Sequence, residues 1–144
     1  MNASLAALQA ALAVEHEVVY GYGIVAAHLR GPARRLALGR LALHQQRRDD
    51  LASLVTASGG RPLTSAAAYA LPLPVRTADD AARLATRLED AAATAAYDVV
   101  GATPAASAGR RLAVSALADC AKTAATWRAR HGPVPQPVFP GRRG

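Results

Sequence analysis

Residues 5–29 read LAALQAALAVEHEVVYGYGIVAAHL. Apolar residues recur in this stretch at steps of three and four, which places them on one stripe of an α-helix. The stripe consists of Leu5, Leu8, Leu12, Val19, Tyr22, Ala26 and Leu29. Glu15 stands where the stripe requires an apolar residue, and a carboxylate inside a helix bundle is costly unless a partner neutralises it. The stretch therefore predicts a bundle helix with a polar site opposite Glu15.

Three further stretches have helical spacing. Together the four predict helices at about 4–30, 33–58, 77–101 and 104–131, which form one domain (1–131) before a Pro/Gly-rich tail (132–144). Ser4 and Thr77 are the expected N-caps of the first and third helices. The first and last helix pairs have tight turns, whereas residues 59–76 are long enough to return along the bundle. The predicted fold is an all-α four-helix bundle with a long crossover between helices 2 and 3.

Composition narrows the class of protein. The 144 residues are 51% hydrophobic and 4% aromatic, with a formal charge of +7. The arginines are scattered in pairs without interleaved aromatics, which disfavours nucleic-acid binding. No segment approaches the ~20 apolar residues of a membrane span, and no signal peptide is evident, so we expect a cytoplasmic protein without membrane contact. Cys120 is the single cysteine, which excludes an internal disulfide and a cysteine-based metal site; we expect a small buried apolar residue.

The polar residues near the middle of each helix are predicted to form one layer. Reflecting the first hairpin about its turn puts Glu15 level with Arg48 and one turn from His44. The same operation on the second hairpin puts Glu89 close to Asp119. The sequence therefore predicts a buried polar layer of Glu15, His44, Arg48, Glu89 and Asp119, in which Glu15 pairs with Arg48.

The order Glu, His, Glu and an acid on successive helices resembles the ferritin-like superfamily. Several short segments are more closely similar to an Ala/Arg-rich bacterial ferritin-like family, a domain of unknown function. These segments are LQAALAVEH (8–16), HQQRRD (44–49), YALP (69–72), Leu88-Glu89 and FPG (139–141). The resemblance covers nearly the whole chain and implies the crossover bundle derived above.

The sequence departs from a complete di-iron site. Such bundles use one Glu from each of two helices and a Glu-x-x-His from each of the other two. Glu15 and Glu89 match the single glutamates, and His44 matches one histidine. Leu41 replaces the glutamate that should precede His44, and Lys122 stands at the other histidine position. The pattern predicts a degenerate di-iron site and disfavours iron storage and di-iron oxidation.

Two functions follow from this layer. The first is a non-enzymatic bundle without cofactor or catalytic residues, whose polar layer is structural and which acts as a homodimer or with a protein partner. The alternative is a metal-dependent oxidoreductase that holds one Fe or Mn with Glu15, His44, Glu89 and Asp119. A small-ligand pocket lined by the same layer is a further possibility.

Overall fold

The chain forms four α-helices in a computed structural model that describes residues 2–131 and Gly141. They are α1 (Ala3–Ala27), α2 (Gly31–Ala57), α3 (Ala78–Ala102) and α4 (Ala108–His131). The described residues contain no strand, so the all-α prediction is confirmed. The predicted tail, 132–144, lies outside the described residues apart from Gly141. None of the four helices combines the length and the apolar character needed to cross a membrane.

The helix starts follow local capping chemistry. Asn2, rather than Ser4, caps α1 by accepting a hydrogen bond from the backbone N–H of Leu5. Thr77 caps α3 as predicted and forms a capping box with Asp80. Helix α2 begins at Gly31, two residues earlier than expected, because a proline suits the first turn of a helix.

Contacts at the ends of the helices fix their directions. The Ser4 hydroxyl at the start of α1 donates to the carbonyl of Ala102 at the end of α3, 2.5 Å away, so α1 and α3 are antiparallel. Gly60, just after α2, lies against the side chain of Leu5, which makes α1 and α2 antiparallel as well. Thr86 contacts His131 at the end of α4, so α3 and α4 are also antiparallel.

The segment between α2 and α3 packs along α1. The side chain of Gln9 donates to the carbonyl of Arg61 at 2.6 Å. Further along, the ring of Tyr69 packs edge-on against Tyr20 with ring centroids 5.6 Å apart. The segment therefore contacts α1 at well-separated positions.

Two apolar clusters form the core, and polar side chains lie between them. One cluster includes Val18, and the other includes Leu12. Glu15 falls between these two positions of α1 and is only 4% exposed. The core therefore places a buried carboxylate between two hydrophobic layers.

Candidate functional site

Three of the predicted layer residues, Glu15, His44 and Glu89, meet in the core. They come from α1, α2 and α3 and are 4%, 0% and 0% exposed, respectively. The Nδ1 atom of His44 lies 2.6 Å from Oε2 of Glu15, and its Nε2 atom lies 3.2 Å from Oε1 of Glu89. Because an ionised carboxylate only accepts hydrogen bonds, this geometry fits an imidazolium with hydrogen on both nitrogens.

Arg40, one turn before His44, binds Glu89 through two parallel contacts. Its Nε donates to Oε1 at 2.7 Å and its Nη2 donates to Oε2 at 3.0 Å. The remaining nitrogen, Nη1, lies 2.8 Å from Oδ2 of Asp119 on α4. Such two-pronged pairing between a guanidinium and a carboxylate is among the stronger ion-pair geometries. Arg40 therefore ties α2 to both α3 and α4.

Arg47, one turn after His44, makes a second bridge to α4. Its Nη2 donates to Oδ2 of Asp119 at 3.1 Å, and its Nη1 donates to Sγ of Cys120 at 3.2 Å. The carboxylate of Asp119 is 35% exposed, so it lies at the edge of the group rather than inside it. We refer to Glu15, Arg40, His44, Arg47, Glu89 and Asp119 together as the buried charge cluster.

Arg48, which the sequence placed in this layer as the partner of Glu15, lies outside it. Its Nε donates to Asp49 at 2.9 Å, and its side chain is 30% exposed. Residues of an α-helix are about 100° apart, so Arg40 and Arg47 both lie on one side of His44, whereas Arg48 lies on the other side. The side that carries Arg40 and Arg47 faces Asp119, and Glu15 pairs with His44 instead.

Tyr22 and Trp127 complete the hydrogen bonding of Glu89. The Tyr22 hydroxyl donates to Oε1 of Glu89 at 2.6 Å and accepts from Nε1 of Trp127 at 2.9 Å. The Tyr22 ring stacks on His44 with centroids 5.6 Å apart. Burial and the negative charge of Glu89 raise the pKa of Tyr22 well above its ordinary value, so the phenol remains a donor. Both oxygens of Glu89 are therefore occupied.

We expect Tyr22→Phe to lower the free energy of unfolding by about 1.5–3 kcal/mol, because Glu89 loses a donor and the buried Trp127 N–H loses its acceptor. Urea denaturation followed by Trp127 fluorescence measures this change. Tyr97→Phe is the control, since Tyr97 is 43% exposed and the hydroxyl deletion there should have little effect. Equal stabilities of the two variants would contradict the role given to the Tyr22 hydroxyl.

Ion pairing sets the protonation of the cluster. Burial by itself would raise the pKa of Glu89, but hydrogen bonds and charges from His44 and Arg40 outweigh it and lower that pKa from 4.5 to about 2. Burial would lower the pKa of His44, yet its contacts with Glu15 and Glu89 raise it above 6.5. With His44 protonated, three cations balance the carboxylates of Glu15, Glu89 and Asp119.

Cys120 joins the site, contrary to the expectation of a purely apolar role. It is fully buried, as predicted, and one donor atom from each of His44, Glu89 and Cys120 lies within 4.8 Å of the others. Burial raises the pKa of the thiol above its ordinary value, and the charge of Glu89 adds to this effect. The geometry offers a mixed set of metal ligands, but in the free chain the sulfur stays protonated.

The sequence analysis did not predict that Arg40 and Arg47 belong to the cluster, although their spacing from His44 indicates it. Arg40 and Arg47 stand four residues before and three residues after His44, which are the spacings of one helix face. Leu41 and Arg48 stand three residues before and four residues after His44, which are also spacings of one helix face. The pattern alone therefore does not show which of the two faces beside His44 points toward the other helices.

Comparison with known proteins places the chain in a family. A family model described as "Domain of unknown function (DUF4439)" matches residues 7–144. The chain belongs to this family. The crystal structure of a conserved hypothetical protein, rv2844, from Mycobacterium tuberculosis is similar to this DUF4439 protein, with 43% sequence identity, a TM-score of 0.83, and coverage of 89% of this chain and 96% of that chain. No curated protein matches the chain.

Proposed function

We propose that the buried charge cluster is a structural substitute for a metal centre, in a non-enzymatic DUF4439 protein with a ferritin-like four-helix bundle. The antiparallel pairing of α1 with both α2 and α3 supports this topology. Because α2 and α3 then run in the same direction, a connection that returns along the bundle as a crossover suits this arrangement. The contacts of Gln9 and Tyr20 with that connection agree with such a path.

The occupation of Glu89 by Arg40 carries the proposal. A metal ion needs carboxylate lone pairs and an unprotonated histidine nitrogen. In this cluster Arg40 takes both oxygens of Glu89, and the two nitrogens of His44 face carboxylates. A metal would have to displace a guanidinium and a proton, both of which already neutralise the same carboxylates.

A balanced cluster of this kind has a structural use. A buried charge that loses its partner is strongly destabilising. If the helices packed in another register, these charges would lose their partners, so the cluster disfavours such packings. Here Arg40 contacts α3 and α4, and His44 contacts α1 and α3. The cluster therefore links all four helices at one level and fixes their relative positions.

Metal content tests the proposal directly. The wild-type protein, purified without an affinity tag after growth with iron, manganese and zinc, should contain far less than one metal per chain. His44→Ala should not change that content, and Arg48→Ala is the charge-matched control. Near-stoichiometric metal in the wild type that is lost in His44→Ala would overturn the proposal.

The second candidate is a mononuclear metal enzyme, and the convergence of His44, Glu89 and Cys120 favours it. In this metal site Cys120 replaces Asp119, which the sequence predicted as a ligand. Glu15 is not a ligand but orients His44 through a hydrogen bond at Nδ1. A histidine, a carboxylate and a thiolate suit zinc or iron. Addition of Co²⁺ distinguishes the two proposals, because a thiolate-to-cobalt absorption band that is absent in Cys120→Ser would establish this ligand set.

If the cluster is structural, the protein acts through its surface, by binding another molecule. We propose self-association as a homodimer, or binding to a protein partner, as the mode of action. Light scattering coupled to size-exclusion chromatography tests the homodimer, since a dimer has twice the mass of the 14.8 kDa chain.

A further inference from the structure

A pocket of about 360 Å³ lies between α3 and the end of α4, and no member of the buried charge cluster lines it, although Asp90 in its lining directly follows Glu89 in the chain. Its polar lining consists of Arg83, Thr86, Arg87, Asp90, Arg128 and His131, and Leu73 of the α2–α3 connection adds an apolar side. The volume falls at the lower end of the range for small-molecule sites. The pocket is large enough for a small metabolite.

The pocket lining is strongly positive. Three arginines and one carboxylate line the pocket, and two of these arginines form ion pairs, so the charge of Arg87 is in excess. Asp90 is already bound by Nη2 of Arg128. Arg83 pairs at its outer side with Asp79 at 2.9 Å, whereas Arg87 makes no ion pair with any residue that the structure describes. The excess positive charge in the pocket therefore favours the binding of an anion.

Two buried polar atoms in this lining have no hydrogen-bond partner among the described residues: Nε of Arg128 and Nδ1 of His131. Arg128 is only 8% exposed, so water replaces such a partner poorly. The Thr86 hydroxyl donates to the carbonyl of Ala82 and therefore accepts from Nε2 of His131. The other ring nitrogen is left free, and in the imidazolium form it is a donor.

We propose that this pocket binds a small oxyanion of the phosphate class, either as free phosphate or as the phosphate group of a small metabolite. A phosphate offers three or more acceptor oxygens and close to two negative charges. Those oxygens suit the unpartnered Nε of Arg128 and the guanidinium of Arg87. A single carboxylate has too few oxygens and too little charge to satisfy the same groups.

Calorimetric titration tests this site with two probes, inorganic phosphate and ribose 5-phosphate, at constant ionic strength set with chloride. The wild type should bind at least one of them saturably. Tighter binding of ribose 5-phosphate identifies a phosphorylated metabolite as the ligand, and binding of inorganic phosphate alone identifies the free ion.

Two variants make the test specific to the pocket. Arg87→Gln, at an exposed position that should fold normally, should weaken binding about tenfold. Arg128→Lys keeps the charge beside Asp90 but removes the Nε donor, and should weaken binding to a similar extent. Arg34→Gln is the control, because it removes an exposed positive charge from a residue that does not line the pocket.

Absence of saturable binding by the wild type would overturn the proposal. Equal weakening by Arg87→Gln and Arg34→Gln would also overturn it, since it would reveal a general charge effect. Neither result depends on metal content, so this proposal and the structural role of the charge cluster fail or stand separately.

Discussion

Replacement of Arg40 by alanine is expected to lower the free energy of unfolding by about 3–5 kcal/mol. The reason is the position of Glu89, which is 0% exposed and keeps its charge after the guanidinium has gone. His44 and Tyr22 remain beside it, but Oε2 of Glu89 loses its hydrogen-bond donor. Asp119 loses its shorter ion pair as well. Equilibrium denaturation in urea at neutral pH measures the loss.

Arg48→Ala is the matched control for this experiment. It removes the same side chain from the same helix two turns later, where the residue pairs with exposed Asp49 and with no other residue that the structure describes. Exposed pairs of this kind contribute less than about 1 kcal/mol. If Arg40→Ala costs no more than Arg48→Ala, the inward position of Arg40 is wrong and the structural role of the cluster falls with it.

A double-mutant cycle separates the ion pair from the packing of the arginine side chain. Glu89→Gln alone should also be strongly destabilising, because it leaves Arg40 buried beside a neutral amide. The combined variant should lose less than the sum of the two single changes, since neither charge is then left alone. Strict additivity would show that Arg40 acts through its apolar stem and not through its charge.

The regular part of this fold could be predicted from residue spacing. Steps of three and four along α1 and α2 predicted the helices and the inward position of Glu15 and His44, because a buried stripe determines which side of a helix faces the core, though not its exact rotation. Thr77 followed by Asp80 marked the start of α3 through chemistry that is local to four residues. These features depend on residues that are close together in the sequence, so they can be predicted without knowledge of the tertiary structure.

The pairing inside the cluster could not be predicted in the same way. Both flanks of His44 carry an arginine, Arg47 on one side and Arg48 on the other, and both are compatible with a stripe of alternating steps. A rotation of α2 by about half a residue's angular step decides between them. That rotation depends on the position of α4, and the sequence of α2 alone does not contain it. Cys120 was missed as a site residue for a related reason, because a lone cysteine is usually a small apolar residue.

Stability should be greatest between about pH 4.5 and pH 6.5 and should fall on both sides of this range. The pKa of Glu89 drops from 4.5 in the unfolded chain to about 2 in the folded protein. Ionised Glu89 therefore contributes about 3 kcal/mol to the free energy of unfolding. This contribution is complete above pH 4.5 and is lost as the pH falls toward 2. His44 has the opposite sign, because its pKa is raised on folding. Its contribution is complete below pH 6.5 and is lost as the pH rises through the higher folded value.

Single-residue controls assign each side of this profile. In Glu89→Gln the acid-side loss should shrink, whereas Asp49→Asn, which neutralises an exposed carboxylate, should leave it unchanged. In His44→Gln the alkaline-side loss should disappear, whereas His28→Gln should retain it, since His28 is exposed and its Nδ1 lies 2.9 Å from the backbone carbonyl oxygen of Ile24. Denaturation curves at pH 3, 5.5 and 8.5 are sufficient to compare the variants. An alkaline loss that persists in His44→Gln would mean that His44 is neutral in the folded protein, and a neutral His44 would leave one carboxylate of the cluster without a balancing cation.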